Sequence, residues 1–458
     1  MTAEPVPGTT PPSRLLSRPV SRLLEPTGLG TSGLRCRPPS SGGLPPSSGG
    51  LPPSRGGLPP TTRSAGPPPT ASSAGAPPTA SSGAQPPAMA SPSRLLGLTG
   101  IGTSALRFKP PELDSQPPDR GLGLGLGGTA PLPYLEREWG DGSYPPLYLP
   151  ATARSNSALG AAVNERLVAW ASEVGIYADQ LDKFRDAGFG QLVMLAHADT
   201  DDVDMLMIAA RMNAAWWAAD DYYADETSLG ATPTELPPRL ALVMSAMDPP
   251  PPAGDYTRQL EEVITADPVL VALRSATGYL TEQASPAQVM RACNTTFQMY
   301  VSWTAYAAWR YLEKLPPVWR YLAARQHDSF YTSMTLIDVV GGYELPPSLF
   351  YDKRFHRGLM QAGTAAVIVN DLHSVAKEAA DELPDSNVVL LIAAEEDIPI
   401  RAATERAVEM HNDFVRGFEE SQRELSAIPS GALQRFLRGA QAWMAGGFEW
   451  HSTSDRYK

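Results

Sequence analysis

The sequence predicts an all-α fold, a single helical domain behind a long N-terminal tail that has no core of its own. Three observations carry this. Residues 1–130 are dominated by Pro, Gly, Ser, Ala and Thr, with almost no aromatics, and such a stretch cannot bury enough apolar surface to offset the entropy of ordering it. From about Ser157 onward, long segments carry apolar residues at helical spacing, punctuated by clusters such as DPPPPAG, KLPP and ELPP. Strand-like alternation is scarce over the same span. A length of 458 residues would allow two or three domains. The composition reduces this to a disordered tail, 1–130, and one folded unit, 131–458, large enough for a substantial core.

In chain order the tail comes first. The heptad PPSSGGL runs three times from Pro38 to Leu58, the last copy as PPSRGGL, and reads as a flexible spacer. A second repeat is apolar. SRLLEPTGLGTSGLR at 21–35 returns at 93–107 as SRLLGLTGIGTSALR, with eleven of fifteen positions identical. Short apolar motifs spaced along a disordered chain are a usual form of docking segment. The tail carries 11 Lys/Arg against 5 Asp/Glu, leaving 26 against 44, a net −18, for the remainder. That excess of acid argues against a nucleic-acid-binding body. Residues 121–150 read as an extended lead-in, and the GLGLGLGG within them is no dinucleotide fingerprint, since no strand precedes it and no helix follows. Helices are expected over 158–174, 178–187, 200–224, 236–247, 256–280, 286–313, 318–340, 355–381, 397–424 and 429–446. Cys36 and Cys293 read as free thiols of a reducing cytoplasm. The opening MTAEPVPG lacks the basic-then-apolar pattern of a signal peptide, and no apolar run is long enough to span a membrane.

The chemistry concentrates in two stretches. NAAWWAADDYYADE at 213–226 ends an apolar helix in a block of acids, Asp220, Asp221, Asp225 and Glu226. Like charges at that density repel, and a cation removes the penalty. Trp216, Trp217, Tyr222 and Tyr223 around them argue for a pocket rather than open water. In NDLHSVAKE at 370–378, Asn370, Ser374 and Glu378 stand at i, i+4 and i+8, which at about 100° per residue is one helix face. Amide, hydroxyl and carboxylate are hard oxygen donors of the kind Mg²⁺ takes while sharing its shell with water and phosphate. Lys377 lies about 20° off the same line. Between the two stretches, Phe297, Tyr300, Trp303, Tyr306 and Trp309 follow helical spacing. They serve either as core or as a wall whose ring faces stabilise a carbocation.

Acids first and NDxxSxxKE roughly 150 residues later resemble the aspartate-rich and NSE motifs of the bacterial class I terpene synthases. Two further matches support the resemblance. Arg325, Asp328 and Ser329 in RQHDS resemble the family's diphosphate-sensing arginine, linker and effector, and Arg456-Tyr457 resembles its terminal RY pair. The resemblance implies a helical bundle in which three Mg²⁺ ions ionise an isoprenoid diphosphate. Asp220, Asp221 and Asp225 would hold metal on one wall and Asn370, Ser374 and Glu378 on the other, with Arg325, Lys377, Arg456 and Tyr457 on the diphosphate. One departure matters: Ala224 stands where the third acid of DDxxD would be, with Asp225 and Glu226 just beyond.

Within the family, the Pro-rich leader, DDYYADE and IDVVGGYELP look most like the 2-methylisoborneol synthases. That implies 2-methylgeranyl diphosphate as substrate, its methyl group supplied by a separate methyltransferase, and a bornyl-type cation quenched by water. A cyclase making 2-methylenebornane or another mono- or sesquiterpene is the alternative. A trans-prenyltransferase would show two DDxxD blocks, and a non-enzymatic scaffold would fit the tail alone. A homodimer is compatible with the resemblance. Similar cyclases occur with encapsulin shells, so 21–35 and 93–107 are expected to dock the enzyme inside such a nanocompartment, two weak contacts on one chain giving avidity.

Overall fold

The computed structural model describes residues 128–225, 232–328, 330–379 and 387–454. Over these the chain is helical, as expected, apart from one short hairpin. The repeats at 21–35 and 93–107, with Glu226, Ser329, Arg456 and Tyr457, lie outside the described residues, as does the side chain of Asp225.

The hairpin corrects the expectation of a merely extended lead-in. Strands β1 (Tyr134–Arg137) and β2 (Leu147–Pro150) pair antiparallel, with Tyr134 opposite Pro150 and Arg137 opposite Leu147. Leu147 and Leu149 alternate into the core, as strand geometry requires. The strands are sewn to the C-terminal helices: Tyr148 N donates to Asn412 Oδ1 at 2.7 Å, and the Gln441 amide brackets the Leu132 backbone at 2.8 and 2.9 Å.

The helices follow. Asn156 caps α1 (Ser157–Val174) by accepting from Leu159 N, and Gly175, at φ 83°, ends it in the left-handed conformation. Short helices α2 (Leu181–Asp186) and α3 (Phe189–Ala196) lead to α4 (Val203–Ala219), buried on almost every side. Then come α5 (Leu236–Met247), α6 (Asp255–Ala266) and α7 (Pro268–Gln283). The single helix expected over 256–280 is two. Pro268 has no N–H to continue a ladder, and Asp267 caps the new helix by accepting from Val269 N at 2.9 Å. A reciprocal Ser285–Gln288 capping box starts α8 (Pro286–Tyr311).

The expected 318–340 helix is three pieces, α9 (Val318–Arg325), α10 (Phe330–Met334) and α11 (Ile337–Val340). The buried Arg291–Asp338 ion pair joins α8 to α11. After α12 (Pro347–Phe350) comes α13 (Lys353–Glu378), then α14 (Val388–Glu396), α15 (Ile400–Leu425) and α16 (Gly431–Thr453). The sequence pattern ended α16 at Gly446, but the helix runs on through Gly446-Gly447. The first of these glycines marks a close approach instead of a break: a Cβ there would sit 2.8 Å from the Leu195 carbonyl carbon, so α16 meets α3 backbone to backbone. Helix α4 packs on α1, α3 and α7, and α13 packs on α10, α15 and α16. Among the described residues no helix is long and apolar enough to cross a membrane.

Candidate active site

The C-terminal end of α4 forms one wall of a cavity. The helix does not continue through the acids as expected; Asp220–Asp225 form a π-helical turn. Such turns are rare and concentrate at functional sites. Here side chains from elsewhere hold it. Tyr177 Oη donates to Asp221 Oδ2 at 2.6 Å and Tyr177 N to Tyr222 Oη at 3.0 Å. Tyr223 Oη donates to Asp267 Oδ2 at 2.6 Å, and Arg310 Nη1 to the Ala224 carbonyl at 2.6 Å. Tyr177 itself sits at φ 54°, a costly conformation for a bulky residue.

The turn separates the two leading acids. Asp220 lines the cavity, together with Asn213, Trp216, Trp217, Met299, Trp303 and Ser333. Asp221 is buried against Tyr177. The pocket is partly open and holds about 270 Å³ of empty space, counting the part continuous with solvent. Aromatic packing backs it: Trp217 lies 4.8 Å from Phe189, 5.7 Å from Trp450 and 6.4 Å from Phe330, centroid to centroid. Of the aromatics on α8, Trp303 lines the cavity and Tyr300 is buried, whereas Phe297 is 56% exposed and belongs to neither core nor wall.

The second wall is the C-terminal end of α13. Ser374 Oγ donates to the Asn370 carbonyl at 2.9 Å, which leaves its lone pairs to accept. Asn370 Oδ1 accepts from Arg325 Nη2 at 3.2 Å. Burial pushes the Glu378 carboxyl up to about 7, and the charge of Asp371 adds to the effect. A carboxylate so desolvated gains from an approaching cation. Lys377, expected to share this face, is exposed.

Three partners of this wall escaped the sequence reading. Asn387 caps α14 with its oxygen, while its amide nitrogen reaches the Asp371 carbonyl at 2.8 Å, Ser374 Oγ at 3.4 Å and Glu378 Oε2 at 2.8 Å. His451 on α16 stands 2.6 Å by Nδ1 from the Gly447 carbonyl and 3.2 Å by Nε2 from Asn370 Nδ2. A carbonyl only accepts, so Nδ1 carries the proton and Nε2 accepts from the Asn370 amide; this turns the amide oxygen toward Arg325. Asp371, next to Asn370 but about 100° round the helix, faces the interior. It accepts from Arg325 Nη2 at 2.7 Å, Tyr321 Oη at 2.6 Å and Val388 N at 3.1 Å.

Arg325 joins the two walls. Its Nη1 pairs with Asp328, which also accepts from Trp303 Nε1 at 3.0 Å and Tyr306 Oη at 3.2 Å. A continuous polar chain thus runs from the cavity lining at Trp303, through Asp328 and Arg325, to Asn370. The motifs at 220 and 370, far apart in sequence, are brought to one region of the molecule. Among the described residues no three His, Cys, Asp or Glu side chains gather into a metal site by themselves. The donors on α13 are of mixed type, an amide, a hydroxyl and one carboxylate, and their chemistry suits a hard cation completed by other oxygens.

Residues 211–417 match the family model "Terpene synthase family 2, C-terminal metal binding". A 2-methylisoborneol synthase of Streptomyces ambofaciens is 34% identical over 367 residues, 79% of each chain. Another, from Saccharopolyspora erythraea, is 34% identical over 68% of this chain and 89% of its own. The crystal structure of 2-methylisoborneol synthase from Streptomyces coelicolor A3(2), in complex with Mg²⁺ and geranyl-S-thiolodiphosphate, superposes with a TM-score of 0.64 at 34% identity, covering 68% of this chain and 96% of that one. Identity over more than two thirds of the chain, together with the shared helical fold, places it in a known group: the chain belongs to the class I terpene synthases.

Proposed function

We propose that this terpene synthase cyclises 2-methylgeranyl diphosphate to 2-methylisoborneol, with water as the terminating nucleophile and diphosphate released. The observation that carries the reading is the aromatic cavity with Asp220 in its wall, tied through Trp303, Asp328 and Arg325 to Asn370. Likeness to 2-methylisoborneol synthases at 34% identity supports the substrate.

In this reading Asp220, Asp221 and Asp225 on one side, and Asn370, Ser374 and Glu378 on the other, would hold three Mg²⁺ ions. Asp221 would also fix the turn, through the hydrogen bond it accepts from Tyr177. When bound, Mg²⁺ neutralises diphosphate charge and eases departure of the leaving group. Arg325, Lys377, Arg456 and Tyr457 would bind diphosphate oxygens. Trp216, Trp217 and Trp303 would shield the carbocation with ring faces and exclude bulk water.

Incubation with Mg²⁺ and 2-methylgeranyl, geranyl or farnesyl diphosphate, with products read by gas chromatography, tests the substrate. The C11 diphosphate is expected to lead in kcat/KM by about tenfold or more over geranyl diphosphate, the scale of one buried methyl group. Preferential turnover of farnesyl diphosphate would instead support the sesquiterpene alternative.

A pH dependence follows from Glu378. Its folded pKa, about 7, lies above the ordinary 4.5, so its stabilising contribution to the metal-free fold is present at acid pH and is lost as pH rises through about 7. Metal binding has the opposite sense, because the ion must displace that proton. The Mg²⁺ concentration for half-maximal activity is expected to rise as pH falls below about 7, approaching tenfold per pH unit if one proton is displaced. In Glu378→Gln the requirement should be higher and nearly flat with pH. Titrating Mg²⁺ between pH 5.5 and 8.5 decides it, and a wild-type requirement independent of pH would remove Glu378 from the metal set.

A further inference from the structure

The cavity wall is aromatic and apolar except at three places. One is Asp220, assigned above to metal. The others are Asn213 on α4 and Ser333 on α10, both lining the cavity and both buried. They are bonded to each other: Ser333 Oγ donates to Asn213 Oδ1 at 2.5 Å, while Asn213 Nδ2 donates to the Ala209 carbonyl at 2.8 Å. An amide nitrogen carries two hydrogens and a hydroxyl oxygen two lone pairs, so both kinds of group can bond a water molecule. Trp216, in the same lining, has a buried indole N–H with no protein acceptor among the described residues. A hydrocarbon chain cannot accept that hydrogen, whereas a water molecule can.

Water stays in a buried cavity only where two to four polar partners hold it; an apolar void of similar size stays dry. We propose that Asn213, Ser333 and the Trp216 N–H form a water-holding site inside the hydrocarbon cavity, and that this site decides between alcohol and alkene. The inference rests on the cyclase reading above and names the residues that set its product. The chemistry balances. Ionisation leaves a carbocation and diphosphate. A lone pair of the held water forms the C–O bond, and the resulting oxonium passes one proton to the released diphosphate. Without that water the cation loses a C–H proton to the same base, and the product is a hydrocarbon. Ser333 and Asn213 orient the nucleophile and themselves gain or lose no proton.

The test is the alcohol-to-hydrocarbon ratio from 2-methylgeranyl diphosphate and Mg²⁺, with H₂¹⁸O as solvent to label the incoming oxygen. The ratio cancels any change in total rate. Ser333→Ala should lower it about tenfold or more, as loss of a buried water's hydrogen-bond partner implies. Ser333→Thr and Ser333→Val have nearly the same shape and differ in the hydroxyl, so the threonine variant should keep alcohol as main product and the valine variant should not. If labelled alcohol forms in wild type and the ratio is unchanged in both the alanine and valine variants, the water comes from elsewhere and the site is refuted, while the cyclase reading stands. If wild type turns the substrate over to hydrocarbons alone, both the alcohol product and the water site fall.

Discussion

Asp220→Ala is expected to lower turnover by at least about a hundredfold, the scale of losing one group that stabilises transition-state charge, while leaving the fold intact. The second half of that expectation comes from the π-helical turn. Its braces are carried by Asp221, Tyr222 and Tyr223 and by the Ala224 carbonyl, bonded to Tyr177, Asp267 and Arg310. Taking the carboxylate from Asp220 leaves these in place and alters the cavity wall. Asn370→Ala should behave alike on the opposite wall, and excess EDTA should silence the wild-type protein. Diphosphate release in single-turnover assays, beside circular dichroism, checks both halves. Full activity in EDTA would end the metal reading for both walls. Asp221→Ala should differ: the phenol of Tyr177 loses the Asp221 carboxylate that braces the turn, so activity and thermal stability should fall together.

The contrast between Asp220 and Asp221 shows what the sequence could and could not convey. Spacing of i, i+4 and i+8 correctly placed Asn370, Ser374 and Glu378 along one end of α13, because that helix is regular there and 3.6-residue periodicity applies. The same periodicity misjudged the acids, since it assumed an α-helix through 220–224 where the chain winds as a π turn. Nothing local announces that change; it is imposed by Tyr177, Asp267 and Arg310, all distant in sequence. Asn387 and His451 were invisible for the same reason. A cap residue and a helical histidine carry no signal of the amide or carboxylate they orient across the fold. Lys377 illustrates the converse: sharing a helix face within about 20° did not bury it. The acid-then-NSE order was legible because chemistry restricts residue types at those positions, whereas the positioning contacts depend on packing alone.

Arg325 is where stability and chemistry are most closely joined. Asp328 and Asp371 are 1% and 2% exposed, and both pair with this one guanidinium. Removing it leaves two buried carboxylates without their countercharge, and breaking a buried pair by deleting one partner typically costs about 3–5 kcal/mol. Arg325→Ala is therefore expected to be markedly less stable in urea denaturation, and to lose at least about a hundredfold in turnover if the same side chain meets the diphosphate. Arg325→Lys separates the two effects. A lysine is a point charge without the planar fork that serves two carboxylates and an amide together. It should recover part of the stability and little of the activity. A second route isolates chemistry further: in Arg325→Met combined with Asp328→Asn and Asp371→Asn no buried charge is left unpaired, so stability should return toward wild type while turnover stays low. An Arg325→Lys protein with wild-type turnover would make the arginine purely structural, a strut between α9 and α13 with no part in binding diphosphate.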